Sequence, residues 1–129
     1  QPKIISHNLE TIRRLTPEVR HVATYETSLS VLERIAASGI PAKTGIMLGL
    51  GETEDEVLEL MDDARARGVS IMTIGQYLQP TRRHLPVVEY IHPKQFARLR
   101  TLGLEKGIRH IESGPLVRSS YHAERHVLD

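Results

Sequence analysis

Apolar residues recur along the chain in blocks that alternate between a helical spacing and short uninterrupted runs. The first helical block places its apolar side chains at i, i+4, i+7 and i+11, which is one face of a helix. Its members are Tyr25, Leu29, Leu32 and Ala36. Thr24 is placed to cap the start of this helix, and Gly39 stands where a glycine commonly follows a helix end. The spacing therefore predicts a helix between Thr24 and Gly39.

Two more helices follow from the same spacing. The second carries an apolar stripe made of Val57, Leu60, Met61 and Ala64. Thr53 followed by Glu56 fits a capping box at its start, and Gly68 ends it. The third helix is predicted to begin at Pro93 and to stop at Gly107, because proline suits a first helical turn. Its inward-facing residues are Phe96, Leu99 and Leu102.

Short apolar runs lie between these helices and predict strands. They cover residues 43–48, 69–75 and 108–111, and residues 1–6 have the character of the end of an earlier strand. A repeat of helix, glycine, strand and loop indicates an α/β fold with a parallel sheet. A closed eight-unit (β/α) barrel takes about 250 residues, whereas this chain has 129. We therefore expect residues 1–129 to form one partial (β/α) barrel, a half-barrel that starts within a unit and leaves one sheet edge unpaired.

Composition excludes several functional classes. The net charge of +1 gives no electrostatic basis for binding nucleic acid or an anionic membrane. No apolar run reaches membrane-spanning length, and the first residues lack the apolar core of a signal peptide. The chain has no cysteine, so it carries no disulfide, thiol nucleophile or thiolate metal site. The expected location is the cytoplasm, or an organelle matrix in a eukaryote.

Polar side chains gather where the predicted strands end. In a parallel sheet all carboxyl ends face the same edge, and ligands of α/β folds bind there. The segments concerned are residues 7–10, 49–52, 76–84 and 118–122. The connections at the opposite end, around Gly39 and Gly68, are short and carry little polar chemistry. This one-sided distribution favours a ligand-binding face over a merely solvated surface.

The segment that leads out of the strand at residues 43–48 is rich in glycine. Gly45, Gly49 and Gly51 fall within seven residues, and glycine lets a backbone turn sharply and approach a ligand without interference from a Cβ atom. Their spacing is not G-x-G-x-x-G and no G-K-[ST] follows, so neither a dinucleotide site nor a Walker phosphate loop is predicted. An ordinary turn between strand and helix is the alternative.

Four motifs, in this order and spacing, resemble those of the lipoyl synthase family. They are residues 7–11 (HNLET), 45–52 (GIMLGLGE), 75–80 (GQYLQP) and 114–122 (GPLVRSSYH). The resemblance runs across nearly the whole chain and includes residues 85–88 (LPVV), which precede the third helix. The chain would correspond to the C-terminal portion of that enzyme, and its Arg-Ser-Ser-Tyr-His segment would start from about residue 113.

The resemblance implies a radical S-adenosylmethionine enzyme on a partial (β/α) barrel. The family inserts two sulfur atoms into an octanoyl chain attached to a lysine of a lipoyl carrier protein or lipoyl domain. A donor such as ferredoxin or flavodoxin supplies electrons. One 4Fe-4S cluster, held by a C-x3-C-x2-C loop, reduces S-adenosylmethionine to the 5′-deoxyadenosyl radical that abstracts hydrogens from the chain. A second, auxiliary 4Fe-4S cluster is consumed as the sulfur source.

Carried over residue by residue, the resemblance assigns nine residues to the S-adenosylmethionine pocket. They are Asn8, Glu10, Lys43, Gly49, Gly51, Glu52, Tyr77, Leu78 and Gln79. Asn8 and Glu10 would contact the ribose and the amino-acid end of the cofactor. Residues 45–52, which Lys43 leads into, would line the adenine side, and residues 77–80 would pack against the adenine.

The resemblance also implies that a serine of the Arg-Ser-Ser-Tyr motif coordinates an iron of the auxiliary cluster, with Ser120 preferred over Ser119. A serine oxygen is a hard ligand, weakly held on iron beside soft thiolates. Its dissociation would suit a cluster that is taken apart. The cysteines that hold both clusters in the family are absent from this sequence, since the segment carrying them would lie before Gln1. We therefore expect the chain alone to have no sulfur-insertion activity.

Three histidines have competing interpretations. His122 and His126 are four residues apart, but H-A-E-R-H is not the H-E-x-x-H pattern of zinc sites, so a zinc site is not favoured. His84 stands beside Arg82 and Arg83. This basic group fits either a solvated loop or contact with an acidic carrier-protein surface.

Other polar residues have structural interpretations. Glu52 has an alternative role as an acid at a helix N-terminus, stabilised by the helix dipole. His110 is expected to be a structural strand residue, and Tyr121 a packing residue. Asp62 and Asp63 are expected to lie on a solvated helix face.

Two further functional classes stay open from the residues alone. One is a different (β/α) enzyme that binds a phosphorylated or nucleotide-like ligand on the same face without a metal. The other is a non-catalytic module whose unpaired sheet edge joins another chain, or a second copy, to complete a barrel.

Overall fold

The computed structural model describes residues 3–20 and 24–118. Within these ranges four strands form one open sheet in the order β1-β2-β3-β4, and every neighbouring pair is parallel. The strands are β1 (Ile5–Ser6), β2 (Ala42–Leu48), β3 (Val69–Gln76) and β4 (His110–Ser113). The predicted α/β fold with parallel strands is confirmed.

Three helices of 13 residues each connect successive strands. They are α2 (Tyr25–Ala37), α3 (Glu54–Ala66) and α4 (Pro93–Glu105). Thr24 caps α2 by accepting a hydrogen bond from the Thr27 N–H, and Thr53 with Glu56 forms the predicted capping box of α3. Between β1 and α2 the chain makes a 3-10 turn (Arg13–Leu15) and a short helix, α1 (Thr16–Val19). These two turns are too short to show a helical spacing, and the sequence did not predict them.

One face of the sheet packs against α2, α3 and α4 and forms the core. On β2 the side chains that alternate onto this face are Ala42, Thr44, Ile46 and Leu48, none of them more than 2% exposed. Every inward residue predicted for the helices is buried except Ala36 and Leu102, which are half-buried. Phe96, Leu99 and Met61 are among the most deeply buried side chains. The predicted core is therefore largely confirmed.

The opposite face, which we call the inner face, carries mainly small and polar side chains, with Met47 and Ile71 as its larger apolar members. It consists of Lys43, Gly45, Met47, Ile71, Thr73, Gly75, His110 and Glu112, as the strand registers place them. The last strand begins two residues later than predicted, because the Ile108 N–H bonds to the Gly103 carbonyl and finishes α4 instead of joining the sheet. No helix in the described ranges is long and apolar enough to cross a membrane.

Candidate functional site

The carboxyl ends of β1, β2 and β3 lie side by side. The Glu10 N–H donates to the Gly45 carbonyl at 2.9 Å, and the Glu10 carbonyl accepts from the Met47 N–H at 2.9 Å. The Tyr77 N–H donates to the Leu48 carbonyl at 2.8 Å. These bonds bring Glu10, the glycine loop that follows Leu48, and Tyr77 to one edge of the sheet, which we call the carboxyl edge.

Glu10 has an unusual backbone at this edge. Its φ of 73° makes it the one non-glycine residue with a positive φ in the described part of the chain. Such a conformation is strained for an L-residue and persists where the surrounding bonds hold it. The side chain is half-exposed and makes no hydrogen bond within the described residues. Its carboxylate is therefore available to accept hydrogen bonds from a ligand.

Asn8 lies in a backbone segment that is fixed by polar contacts. The Asn8 carbonyl accepts from the Arg20 guanidinium at 2.5 Å, and the same Arg20 nitrogen lies 3.2 Å from the Ser28 hydroxyl. His7 Nε2 is 3.0 Å from that hydroxyl. Burial, and then the charge of Arg20, lower the pKa of His7 below its ordinary value, which favours the neutral ring. These contacts fix the backbone between the end of β1 and Glu10.

Glu52 shapes the glycine loop from within. Its carboxylate accepts from the Gly49 N–H at 2.9 Å and from the Leu50 N–H at 3.0 Å. The first turn of α3 is instead occupied by Glu54, Asp55 and Glu56. Glu52 thus acts on the loop rather than on the first helical turn.

Two glycines of this loop differ in what surrounds them. A Cβ atom on Gly49 would lie 2.4 Å from both Gln76 Nε2 and the Glu89 carbonyl oxygen, so the chain's own atoms fill that space. A Cβ atom on Gly51 would meet only a Val88 methyl, at 4.0 Å. Gly51 therefore presents open backbone, whereas Gly49 allows two parts of the chain to pack closely.

Gln76 does not contribute to a ligand-binding face, although the sequence placed it among the polar residues there. Its side chain is buried, and its Nε2 donates to the Tyr77 and Glu89 carbonyls, both at 3.0 Å. Its Oε1 accepts from the Ile91 N–H at 2.9 Å. These hydrogen bonds hold the long loop between β3 and α4. The sequence interpretation that placed Gln76 on a ligand-binding face was therefore wrong.

The three residues after Gln76 differ in exposure. Tyr77 is buried, its hydroxyl donates to the Leu85 carbonyl at 2.7 Å, and burial raises the pKa of that hydroxyl. Leu78 and Gln79 are exposed, and the Gln79 amide donates to the His84 carbonyl at 2.9 Å. Tyr77 anchors the loop, and Leu78 offers an apolar surface at the carboxyl edge.

Lys43 stands apart from the other predicted pocket residues. It is the second residue of β2 and precedes Gly49 by six positions, which is roughly 20 Å along a strand. Its register partners are Ser6 and Ile71, on the inner face. The structure therefore does not bring Lys43 to the carboxyl edge.

The segment after β4 crosses the inner face at Gly75. A Cβ atom on Gly75 would lie 2.1 Å from the Val117 carbonyl oxygen, so only glycine fits beneath this segment. The Gly114 N–H donates to the Ile74 carbonyl at 3.0 Å and joins the segment to β3. The predicted iron ligands Ser120 and Ser119, together with Tyr121, His122 and His126, lie outside the described residues.

Of three further polar residues, one has a role that differs from the prediction. Asp63 accepts a hydrogen bond from the Tyr25 hydroxyl at 2.8 Å and lies 3.5 Å from the Arg13 guanidinium, so its assignment to a solvated face was wrong. His110 lies in β4 as predicted but is exposed. Asp62 is exposed and pairs with Lys106 at 2.8 Å, as suits a solvated face.

Arg14 is a contact residue of the glycine loop that the sequence did not indicate. Its guanidinium donates to the Gly51 carbonyl at 2.9 Å and to both carboxylate oxygens of Glu56, at 2.8 and 3.0 Å. It lies in the unpredicted 3-10 turn, 37 residues before Gly51. No local sequence signal points to this contact.

Comparison with known proteins matches this chain to one family profile and to lipoyl synthases of several bacteria. The Radical SAM superfamily profile matches residues 2–64. The lipoyl synthase of Porphyromonas gingivalis is 74% identical over 127 residues, or 98% of this chain. Those of Parabacteroides distasonis and Treponema denticola are 63% and 60% identical, over 98% and 99% of the chain. The chain spans 44–45% of the length of these three relatives.

Proposed function

The chain belongs to the lipoyl synthase family, and on that premise we propose that it forms part of an enzyme that inserts two sulfur atoms into protein-bound octanoyl chains. The observation that carries the proposal is the high identity to lipoyl synthases across nearly the whole chain. The gathering of Glu10, Gly51 and Leu78 at one sheet edge supports it, because ligands of α/β folds bind at such edges. We assign S-adenosylmethionine to this edge.

The residues at the carboxyl edge suit the chemistry of that cofactor. S-adenosylmethionine has a flat adenine, ribose hydroxyls and a positively charged ammonium group. Leu78, which is 48% exposed, offers an apolar surface, and the open backbone of Gly51 allows close approach. The Glu10 carboxylate can accept hydrogen bonds from the ammonium or the hydroxyls. Asn8 and Gln79 complete the assignment, and Lys43 is assigned to the inner face instead. Gly49, Glu52 and Tyr77 belong to the site as residues that shape its loops, since their described contacts are with the chain itself.

An iron–sulfur cluster does not fit the residues of this chain. Such clusters are held by cysteine thiolates, and the sequence has none. Within residues 3–20 and 24–118 no group of three or more histidine, aspartate or glutamate side chains is arranged to hold a metal ion. We propose that cysteines of a longer polypeptide hold both 4Fe-4S clusters, and that Ser120, or Ser119, adds an oxygen ligand. The 129-residue chain alone would then insert no sulfur.

The partners of the proposed reaction follow from the same family. They are an octanoylated lipoyl carrier protein or lipoyl domain and an electron donor such as ferredoxin or flavodoxin. The full-length protein, with iron and sulfide reconstituted without oxygen, should convert an octanoyl-lysyl peptide to its dithiol when S-adenosylmethionine and a reductant are present. Mass spectrometry of the peptide measures the product. Absence of product from a protein that holds both clusters would contradict the proposal.

Calorimetric titration separates this proposal from a phosphate-binding enzyme. S-adenosylmethionine should bind the full-length protein, whereas simple sugar phosphates should release no heat. The reverse result would favour the alternative (β/α) enzyme. Sedimentation of the isolated chain tests the barrel-completing module, since a monomer would count against it.

A further inference from the structure

Exposed apolar side chains concentrate at the carboxyl edge. Five large hydrophobic side chains are exposed in the described part of the chain, and four of them follow β3 or β4. They are Leu78 (48%), Val88 (64%), Tyr90 (73%) and Leu116 (88%). Scattered exposed apolar residues need no explanation, but a one-sided group marks an interaction surface.

Backbone contacts hold two of these side chains, those of Val88 and Tyr90, next to the proposed cofactor site. The Val88 N–H donates to the Gly49 carbonyl at 2.8 Å, in the glycine loop. Tyr90 precedes Ile91, whose N–H donates to the buried Gln76 side chain at 2.9 Å. Val88 and Tyr90 are therefore fixed to the ends of β2 and β3 rather than carried on a free loop.

Two arginines stand at the tip of the same loop. The tip is held by Thr81, whose hydroxyl accepts from the Arg83 N–H at 3.2 Å and lies 2.9 Å from His84 Nδ1. Arg82 and Arg83 are exposed. Within the described residues neither forms a salt bridge, which is also true of the exposed Arg34 and Arg109 at the opposite edge of the sheet.

The two arginines restrict what can cover this surface. A partner that buries a guanidinium without supplying a carboxylate leaves a desolvated charge, which is strongly unfavourable. Carboxylates and phosphates are the groups that best pair with a covered guanidinium. An acidic protein surface supplies such carboxylates and can also accept the apolar side chains of the same loop, which a free phosphate group cannot. We call Arg82, Arg83, Val88 and Tyr90 the rim surface.

We propose that the rim surface docks an acidic protein domain, namely the domain that carries the acyl substrate. The proposal rests on the proposed function, in which the octanoyl chain is attached to a lysine of a folded protein. That protein must approach the carboxyl edge closely for its acyl chain to reach the cofactor. Carboxylates on the domain pair with Arg82 and Arg83 and steer the encounter, while Val88 and Tyr90 supply apolar contact.

The test compares two substrates in the full-length, cluster-loaded enzyme. One is an octanoylated lipoyl domain, and the other is a short, uncharged octanoyl-lysyl peptide. The variant R82E/R83E reverses both charges at the tip. The matched control R34E/R109E makes the same charge change at exposed positions on the opposite edge, where α2 ends and β4 begins.

R82E/R83E should raise the KM for the domain by about tenfold and remove most of its dependence on salt, because charges at an interface rim act on encounter. The KM for the peptide should stay within about twofold, and R34E/R109E should change neither KM. An unchanged KM for the domain, or an equal rise for both substrates, would overturn the proposal. A fall in melting temperature with an unchanged ratio of the two KM values would show that the rim is covered by the enzyme's own chain, and would overturn it too. Failure of the wild-type enzyme on the peptide would instead count against the proposed function.

Discussion

The two faces of the sheet use their residues in opposite ways. The helix-covered face consists mainly of apolar side chains such as Ile46, Met72 and Ile74, each no more than 1% exposed. The inner face carries Lys43, Thr73 and mainly small or polar residues on the same strands, apart from Met47 and Ile71. Alternation along β2 and β3 separates the two sets. Alternate positions of the same strands therefore build the apolar core and a more polar inner face, part of which the segment at residues 114–118 covers.

Side chains at the carboxyl edge also fall into two groups, those that bond to the chain's own backbone and those that do not. Gln76 and Glu52 have all their described hydrogen bonds with the chain's own backbone. Glu10 has none from its side chain within the described ranges, and Leu78 is exposed. Residues of the first kind build the loops, and residues of the second kind can meet a ligand. The substitutions below test these two comparisons.

The largest effect is expected on the helix-covered face. Phe96 is 1% exposed, so Phe96→Ala should lower the free energy of unfolding by about 3–5 kcal/mol through lost burial and the cavity left behind. Urea denaturation followed by circular dichroism measures the change. Leu78→Ala at the carboxyl edge serves as the control and should change stability by less than about 0.5 kcal/mol. Equal effects of the two substitutions would remove the distinction between core and edge.

The sequence specified this face well because burial leaves a periodic trace. The spacing of apolar residues located all three long helices, and Thr53 with Glu56 located the start of α3. Pro93 located the start of α4. These signals are local, since each depends on residues within one helical turn or one strand.

The uses of the edge residues were not predictable in the same way. The contacts of Gln76 depend on residues 13 and 15 positions away, and the contact of Arg14 with Gly51 spans 37 positions. A carboxylate or an amide has the same chemistry whether it meets a ligand or its own backbone. Only the tertiary structure decides between the two, as it did for Glu52.

A second, smaller effect is expected on the inner face. Gly75→Ala would place a Cβ atom 2.1 Å from the Val117 carbonyl oxygen, so the segment at residues 114–118 must shift, at a cost of about 1–3 kcal/mol. Amide hydrogen exchange at Val117 should become faster. Gly114→Ala is the matched control, because its nearest contact would be a Val117 methyl at an ordinary 3.7 Å. Unchanged exchange in Gly75→Ala would show that the segment does not depend on this contact.

A third substitution tests the carboxylate that shapes the glycine loop. Glu52→Gln weakens two charge-assisted bonds to loop amides, and we expect a loss of about 1–2 kcal/mol in stability together with a several-fold weaker affinity for S-adenosylmethionine. Asp55→Asn, on the exposed side of the first turn of α3, is the control. Calorimetric titration of the full-length protein measures the affinity. Weaker stability with unchanged affinity would confine Glu52 to a structural role.

The smallest effect is expected from the pH dependence of the Arg14–Glu56 pair. Hydrogen bonds from Arg14, and then from the Thr53 backbone, lower the pKa of Glu56 from 4.5 to about 2. A carboxyl whose folded pKa is depressed stabilises the fold above its unfolded pKa, and this contribution is lost as the pH falls from about 4.5 toward 2. Glu56→Gln should therefore flatten the stability profile in that window, whereas Glu59→Gln should leave it unchanged. Identical profiles of stability against pH for Glu56→Gln and the wild type would show that the Arg14–Glu56 pair does not stabilise the fold.

The central claim is that the carboxyl edge of this sheet holds S-adenosylmethionine. Photoaffinity labelling of the full-length protein with a photoreactive S-adenosylmethionine analogue, followed by peptide mass spectrometry, tests it most directly. The account predicts labels within residues 49–52 and 77–79 that disappear when unlabelled S-adenosylmethionine competes. Competed labels confined to the helix-covered side, for example on α2 or α3, would contradict it.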